Sequence, residues 1–254
     1  MEFRDARQAG AAWPSVKCGI LPSAAHPLRA WAQVSPHGQN PGGAILEHMT
    51  PPSTIWNQRY ARQELVQQDD WLLPWHERLR LMHTALDVGC GDGFETARLA
   101  DWGLQVTATD IAEQALARSR NRTPAARHLL ADVRSMPELA DAGFDLVIAH
   151  LSLHYFDRAG TLATFAELAR VMKSGSLLLA CVNADDDVNY GAPVDAAASW
   201  ELSVVDGVPK QFFSEAKLRE ALGSGLYEIE SLNKRSTLRY GAPKSLWELA
   251  ARRL

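Results

Sequence analysis

The stretch Ala85-Leu86-Asp87-Val88-Gly89-Cys90-Gly91-Asp92-Gly93 constrains this chain more than any other. A short apolar run gives way to alternating glycines, and residues 95–100 then read as a helix. Such a run suits a parallel strand covered on both faces. Gly89, Gly91 and Gly93 permit positive φ and a close backbone approach to a ligand, which side chains would block. The first amides of the helix would face whatever the turn holds. Residues 106–109 form the next strand-like run. Asp110 ends it about 20 positions after Gly89, the separation at which a βαβ unit offers an acid to a ribose. The stretch therefore predicts a strand–turn–helix built for a nucleoside-like ligand.

A dinucleotide site would want a third glycine three residues after the second, and Phe94 stands there. The spelling Gly-x-Gly-x-Gly behind Asp87 instead resembles the first motif of the class I S-adenosylmethionine-dependent methyltransferases. Three later segments strengthen the resemblance. Residues 129–133 read as a third strand ending in a carboxylate. The clear strand at 144–149 runs into His150-Leu151-Ser152-Leu153-His154-Tyr155-Phe156, where the family's fourth motif sits. A helix with Leu162, Phe165, Leu168, Ala169 and Met172 at 3.6 spacing follows. Gly175 is expected as its left-handed cap, and residues 176–182 as a fifth strand. The likeness runs from about Trp56 to Leu254.

The resemblance, to small-molecule methyltransferases of the tellurite-resistance-like and thiopurine-like kind, implies an α/β, Rossmann-like, doubly wound fold. It implies a seven-stranded, mostly parallel sheet with one antiparallel strand, strand order 3-2-1-4-5-7-6, and helices on both faces. It implies S-adenosyl-L-methionine as cofactor. Asp87, Gly89, Cys90, Gly91 and Gly93 would then hold the methionine side. Asp110, with Ile111 beside it, would take the ribose, and Asp132 with Val133 the adenine. His150 would line the cofactor. Trp56 and Tyr60, on one face of a helix at 55–62 opened by Ser53 or Thr54, would lid its methionine end.

Methyl transfer from a sulfonium needs positioning more than covalent help, and aromatic faces such as Trp56, Tyr60 and Tyr155 tolerate the positive sulfur. A general base is required only for a protonated acceptor. His154 is the candidate, because an imidazole of reference pKa about 6.5 accepts a proton at neutral pH. Tyr155, Asn189, Tyr190 and Tyr240 are candidates for the acceptor side. The methyl acceptor itself is not encoded in any motif, since acceptor choice lives in loops. Two rival readings remain at this point: a cofactor-binding protein without catalysis, and, against Phe94, an NAD-dependent oxidoreductase.

Elsewhere the chain offers punctuation. A helix is expected at 76–82, another at 111–120 with Ile111, Ala115 and Leu116 inward, and a third capped by Ser214 with Leu218 and Leu222 inward. Strands at 227–235 and 245–252 would form a hairpin turned at 240–243. Asp185, Asp186 and Asp187 lack the alternating spacing of a hard-cation loop and read as a solvated loop, so no metal is expected. Residues 1–48 carry Pro14, Pro22, Pro27, Pro36 and Pro41 without a sustained period. They are expected to be an irregular extension, with Trp13 and Trp31 as incidental aromatics, Met49 as a possible start, and the domain at 49–254.

A formal charge of −4 gives no basic footprint for nucleic acid. Cys18, Cys90 and Cys181 form neither a disulfide framework nor a zinc motif, and Cys90 reads as a small residue filling a tight turn. With no signal-like start and no run of about 18 apolar residues, the expected setting is a reducing cytoplasm. The expected partner is a small molecule, with no membrane and no nucleic acid; nothing in the sequence speaks to oligomeric state.

Overall fold

The computed structural model describes residues 50–62, 69–223, 225–239 and 241–254. The expectations for residues 1–48, for Met49 and for Tyr240 fall outside them. The described chain begins with α1 (Pro52–Ala61), a 3-10 turn at Leu73–Trp75 and the short α2 (His76–Leu79). Next come β1 (Thr84–Val88), α3 (Phe94–Asp101), β2 (Gln105–Asp110), α4 (Glu113–Arg122) and β3 (Arg127–Leu130). β4 (Phe144–His150), α5 (Arg158–Val171) and β5 (Met172–Asn183) complete the parallel part. A small hairpin, β6 (Ser203–Val205) and β7 (Val208–Lys210), precedes α6 (Glu215–Leu222). β8 (Tyr227–Arg239) and β9 (Ala242–Arg253) end the chain.

Among the described residues, seven strands form one sheet in the order β3-β2-β1-β4-β5-β9-β8. β1 pairs in parallel with both β2 and β4, so strand order reverses between β1 and β4. β9 runs antiparallel to β5 and to β8 and is the one reversed strand of the sheet. This is the expected architecture, with its expected strand order. Period-two alternation distributes the core. Val147 and Ala149 of β4 join Phe165, Leu168 and Trp247 on one face. Leu146 and Ile148 join Leu99, Trp71 and Leu79 on the other. Because both faces are buried, the strands read as continuous apolar runs. Among the described residues no helix is long and apolar enough to cross a membrane.

Several local expectations need correction. Helix α1 starts at Pro52 with Pro51 as an N-cap that makes no side-chain bond, so Ser53 and Thr54 lie inside the first turn. Proline at the first helical turn loses nothing there, because that N–H has no helical partner. α4 begins at Glu113, two residues later than Ile111, and Ala112 occupies the buried position instead. Gly175 does not cap α5: the helix ends at Val171 and Met172 is already extended. Gly175 takes its positive φ of 78° within β5, where the register against β4 slips. β3 ends at Leu130, so Asp132 lies beyond the strand, in an isolated bridge with Ser135. Ala242 and Pro243 belong to β9 and not to the turn expected at that place.

The acidic run 185–187 is no solvated loop. Lys234 reaches Asp185 at 2.8 Å and Asp186 at 3.0 Å. Asp187 is 1% exposed, accepts Lys244 Nζ at 2.7 Å and accepts the Ser245 amide at 3.0 Å. These bonds tie the carboxyl end of β5 to the start of β9. Removing one partner of a buried ion pair leaves an uncompensated charge, which costs about 3–5 kcal/mol. Asp187→Ala is therefore expected to lose about that much in urea unfolding, and adding Lys244→Met is expected to recover much of it. Equal stability of the single and double variants would show that the pair carries no such burden.

Candidate functional site

The glycine turn begins where β1 ends. Gly91 and Gly93 take φ values of 56° and 78°, which an L side chain would strain to adopt. Space forbids a side chain as well. A Cβ on Gly91 would sit 2.6 Å from the Tyr60 hydroxyl, and one on Gly93 2.7 Å from Ser119 Cα. The turn is thus clamped between α1 and α4. Cys90 is buried against Ala108 and Leu116, and burial holds its thiol well above the usual range, so it fills space there rather than reacting.

Two buried carboxyls flank the turn. Thr96 Oγ1 of α3 donates to Asp87 Oδ2 at 2.6 Å. Asp87 is 2% exposed, and burial, opposed by the Thr96 bond and aided by Asp110, lifts its pKa to about 7. Asp110, at the tip of β2, accepts the Gly91 amide at 3.0 Å and the Ala112 amide at 2.8 Å. Burial raises its pKa, opposed by these amides. A carboxylate has about four acceptor positions, so both groups retain capacity for a ligand. A third acid was missed in sequence. Glu95 is buried, accepts Trp71 Nε1 at 3.2 Å, and is lifted by burial to about 8. Its signal was an acid in the first turn of a helix, which ordinarily means only favourable dipole placement.

The fourth strand supplies the other wall. His150 ends β4 and stacks on Trp71 at 5.2 Å, its Nε2 buried without a hydrogen-bond partner. Burial, reinforced by Arg239, lowers its pKa to about 3, so it is a neutral ring. Leu151 then takes a φ of 58°, a left-handed conformation that a leucine adopts only when its surroundings enforce it. Its amide donates to Cys181 at 2.9 Å, and Ser152 Oγ donates to the Val88 carbonyl at 2.6 Å. These bonds hold the segment across the carboxyl ends of β1 and β5, at the switch point where open sheets bind ligands.

An aromatic path runs from α1 to the segment after β4. Tyr60, over Gly91, lies 6.3 Å from Trp56, Trp56 lies 5.6 Å from Tyr155, and Tyr155 lies 4.4 Å from His154. Asn57 Oδ1 accepts the Gln114 amide at 2.9 Å and docks α1 on α4.

Other expected site residues stand elsewhere or in different states. Asp132 is engaged by Arg134, whose Nε and Nη2 donate at 3.0 and 2.6 Å. Partial burial raises its pKa, but the Arg134 bond outweighs this and leaves it below the usual value. Val133 packs at the edge of the main core, and Ile111 is half-buried beside Asp110. His154 is 3% exposed with a buried Nδ1 that has no hydrogen-bond partner. Burial, reinforced by Lys244 and Lys210, holds it well below the reference value, so the expectation of an ordinary imidazole is wrong. Asn189 donates to the Pro243 carbonyl at 2.8 Å and Tyr190 to the Arg239 and Ala242 carbonyls, so both brace the last hairpin.

Residues 86–180 match a family model described as a methyltransferase domain. The matched span, from β1 to β5, thus resembles a methyltransferase domain. It is 45% identical over 78 residues to an uncharacterized methyltransferase of Mycobacterium bovis, covering 30% of this chain and 39% of the relative. It is 30% identical over 130 residues to a malonyl-[acyl-carrier protein] O-methyltransferase of Pectobacterium atrosepticum, covering 51% of this chain and 47% of that one. The chain thus spans half or less of the length of these curated relatives. In fold it is similar to an S-adenosylmethionine-dependent methyltransferase of Methanosarcina mazei. There the TM-score is 0.62 at 19% identity, covering 74% of this chain and 99% of that one. It is also similar to a 1,6-didemethyltoxoflavin-N1-methyltransferase of Burkholderia thailandensis bound to S-adenosylhomocysteine. That match has a TM-score of 0.61 at 17% identity, covering 79% of this chain and 86% of that one.

The raised acid beneath the turn makes a pH prediction. An acid whose folded pKa lies above its unfolded value makes folding less favourable as pH rises between the two. For Asp87 these values are about 7 and 3.8. The stability of the wild-type protein relative to Asp87→Asn should fall by about 2 kcal/mol between pH 5 and pH 7 in urea unfolding. A pH-independent difference would mean that Asp87 is ionised throughout.

Proposed function

We propose that this protein transfers a methyl group from S-adenosylmethionine to a small-molecule acceptor by in-line displacement. The observation that carries the reading is the charge around the glycine turn. Asp87 and Asp110 flank it, buried, and Asp92 lies within it beside Arg122. A pyrophosphate placed there would meet carboxylates of its own sign. A ligand bearing an ammonium and a sulfonium would meet opposite charge and help Asp87 to ionise. The dinucleotide reading thus fails on electrostatics as well as on Phe94.

The residues fit the donor in kind. Asp87 and the 89–93 turn are assigned to the amino-acid end, and Asp110 with Ile111 to the ribose. Val133 is assigned to the adenine, with Asp132 available once it shares or releases Arg134. The bound donor supplies an electrophilic methyl group on a neutral leaving thioether. The chain's own task is to hold and orient, which is worth up to roughly 7–11 kcal/mol of barrier when reacting atoms meet in line. Trp56, Tyr60 and Tyr155 supply the aromatic faces that tolerate a sulfonium and exclude water beneath α1. His154 serves as a neutral hydrogen-bonding group toward the acceptor, and as a base only for a proton that is already weakly held. The named relatives methylate oxygen in one case and nitrogen in another, so they support the donor and leave the acceptor atom open.

Calorimetry of the full chain with S-adenosylmethionine, S-adenosylhomocysteine and NAD tests the donor. Binding of both sulfur nucleosides and no binding of NAD is expected; the reverse pattern would sink the reading, and donor binding without turnover on any acceptor would favour a non-catalytic binder. His154→Ala is expected to lower turnover at least tenfold while leaving S-adenosylhomocysteine affinity within twofold. Unchanged turnover would remove His154 from the reaction.

A further inference from the structure

The rim of the cleft opposite the acidic turn is basic. The segment after β7 is pinned across the carboxyl ends of the central strands: the Gln211 amide donates to the His154 carbonyl at 2.8 Å, and the Phe213 amide to the Asn183 carbonyl at 2.9 Å. Lys210, the last residue of β7, is thereby held beside His154. Lys244 enters from β9, with its Nζ 2.9 Å from Asn183 Oδ1 and 4.5 Å from the Tyr190 ring centre. The buried Arg239 comes from the end of β8 and contributes to the field at both His150 and His154. Arg59 of α1 donates to the Asp206 carbonyl at 3.1 Å, in the turn of the same small hairpin.

Three carboxylates face this group. Asp187 is committed to Lys244, Asp206 lies exposed in the β6–β7 turn, and Asp69, bonded to Arg235, also lies in the field of Arg239. The Lys210 ammonium has no hydrogen bond or ion pair among the described residues, although the residue is half-buried. Burial and the nearby Lys244 lower its pKa to about 8. Beside it the buried His154 Nδ1 also has no hydrogen-bond partner. Gathering like charges in a partly desolvated rim opposes folding, and such arrangements are characteristic of sites that receive a charged ligand.

We infer that this rim, with Lys210 as its uncommitted charge and Lys244 and Arg239 around it, binds an oxyanion of the methyl acceptor. The inference rests on the methyltransferase reading and adds the acceptor's class, a small molecule carrying a carboxylate or phosphate group. The aromatic path from Tyr60 through Trp56 and Tyr155 to His154 separates the acidic end from the basic one. A cationic donor and an anionic acceptor would thus be drawn to opposite ends of one cleft. Lysine ammonium groups, as mobile point charges, suit this task without demanding the fixed fork geometry of arginine.

The test uses the full chain saturated with S-adenosylhomocysteine and four probes of similar shape: benzoate, phenyl phosphate, benzamide and benzylamine. At least one of the two anions is expected to bind tenfold or more tightly than benzamide, with benzylamine weakest. Which anion wins separates carboxylate from phosphate. Lys210→Gln should abolish that preference while leaving S-adenosylhomocysteine affinity unchanged. A second measurement needs no variant. Trace acetylation of the wild-type chain at pH 8, mapped by mass spectrometry, should modify Lys210 ahead of exposed lysines, and the preferred anion should slow it. Equal binding of anions and benzamide, or a preference that survives in Lys210→Gln, would overturn the inference. Failure of S-adenosylhomocysteine to bind would instead strike the methyltransferase reading, and the anion arm can be read without it.

Discussion

The hydrogen bond from Thr96 to the buried Asp87 carboxyl is the contact on which the site depends. It joins the last turn of β1 to the first of α3 across the glycine loop, at 2.6 Å and out of water. Had the fold wanted only a strand–helix junction, a packed apolar pair would have served at lower cost. Burial raises the pKa of the carboxyl there, which disfavours its charged form, and a nearby cation would favour it. The same logic extends to Asp110, whose two oxygens hold the Gly91 and Ala112 amides. The loop is shaped by these two acids.

That arrangement makes α1 more than a cover. Its apolar content is modest and none of its residues is fully buried. What fixes it is a set of separate anchors: Asn57 on α4, Arg118 donating to the Tyr60 carbonyl, and Arg59 on the β6–β7 turn. A helix held by polar contacts rather than by a core stripe opens at lower free energy than the body it covers.

The sheet was legible because buried parallel strands announce themselves as apolar runs, and β1, β2, β4 and β5 do so without interruption. β3 was placed too late because it is short and half-exposed, so its end carried no period to read. Gly175 misled because glycine after a helix ordinarily signals a left-handed stop, whereas here β5 starts at once and the glycine serves its irregular register. The β6–β7 hairpin was overlooked although Val205-Asp206-Gly207-Val208 is a strong two-residue turn signal. Within the site, Asp87, the glycines and Asp110 followed from local spacing. His154 was found, but its protonation was not, because burial is a property of the fold. Lys210 and Lys244 lie 34 residues apart in the chain, and only the β5–β9 pairing and the 211–213 crossing bring them to one rim.

The two ends of the cleft therefore have different origins in the chain. The acidic end is written in one contiguous motif, since a single strand–turn–helix can build it. The basic end is assembled from a hairpin, the last strand pair and the loop after β4, each of which could vary while the sheet stayed intact. Evolution can alter such a rim without disturbing Asp87 or the glycine turn. This division follows from where the core lies. Residues of β1 and β4 pack on both faces and tolerate little change, and Phe212 and Phe213 are buried as deeply, whereas Lys210 and the β6–β7 turn at Asp206 are only half-buried or exposed. If the chain transfers methyl groups as proposed, acceptor choice would be set by charge at that rim more than by any motif in the sheet.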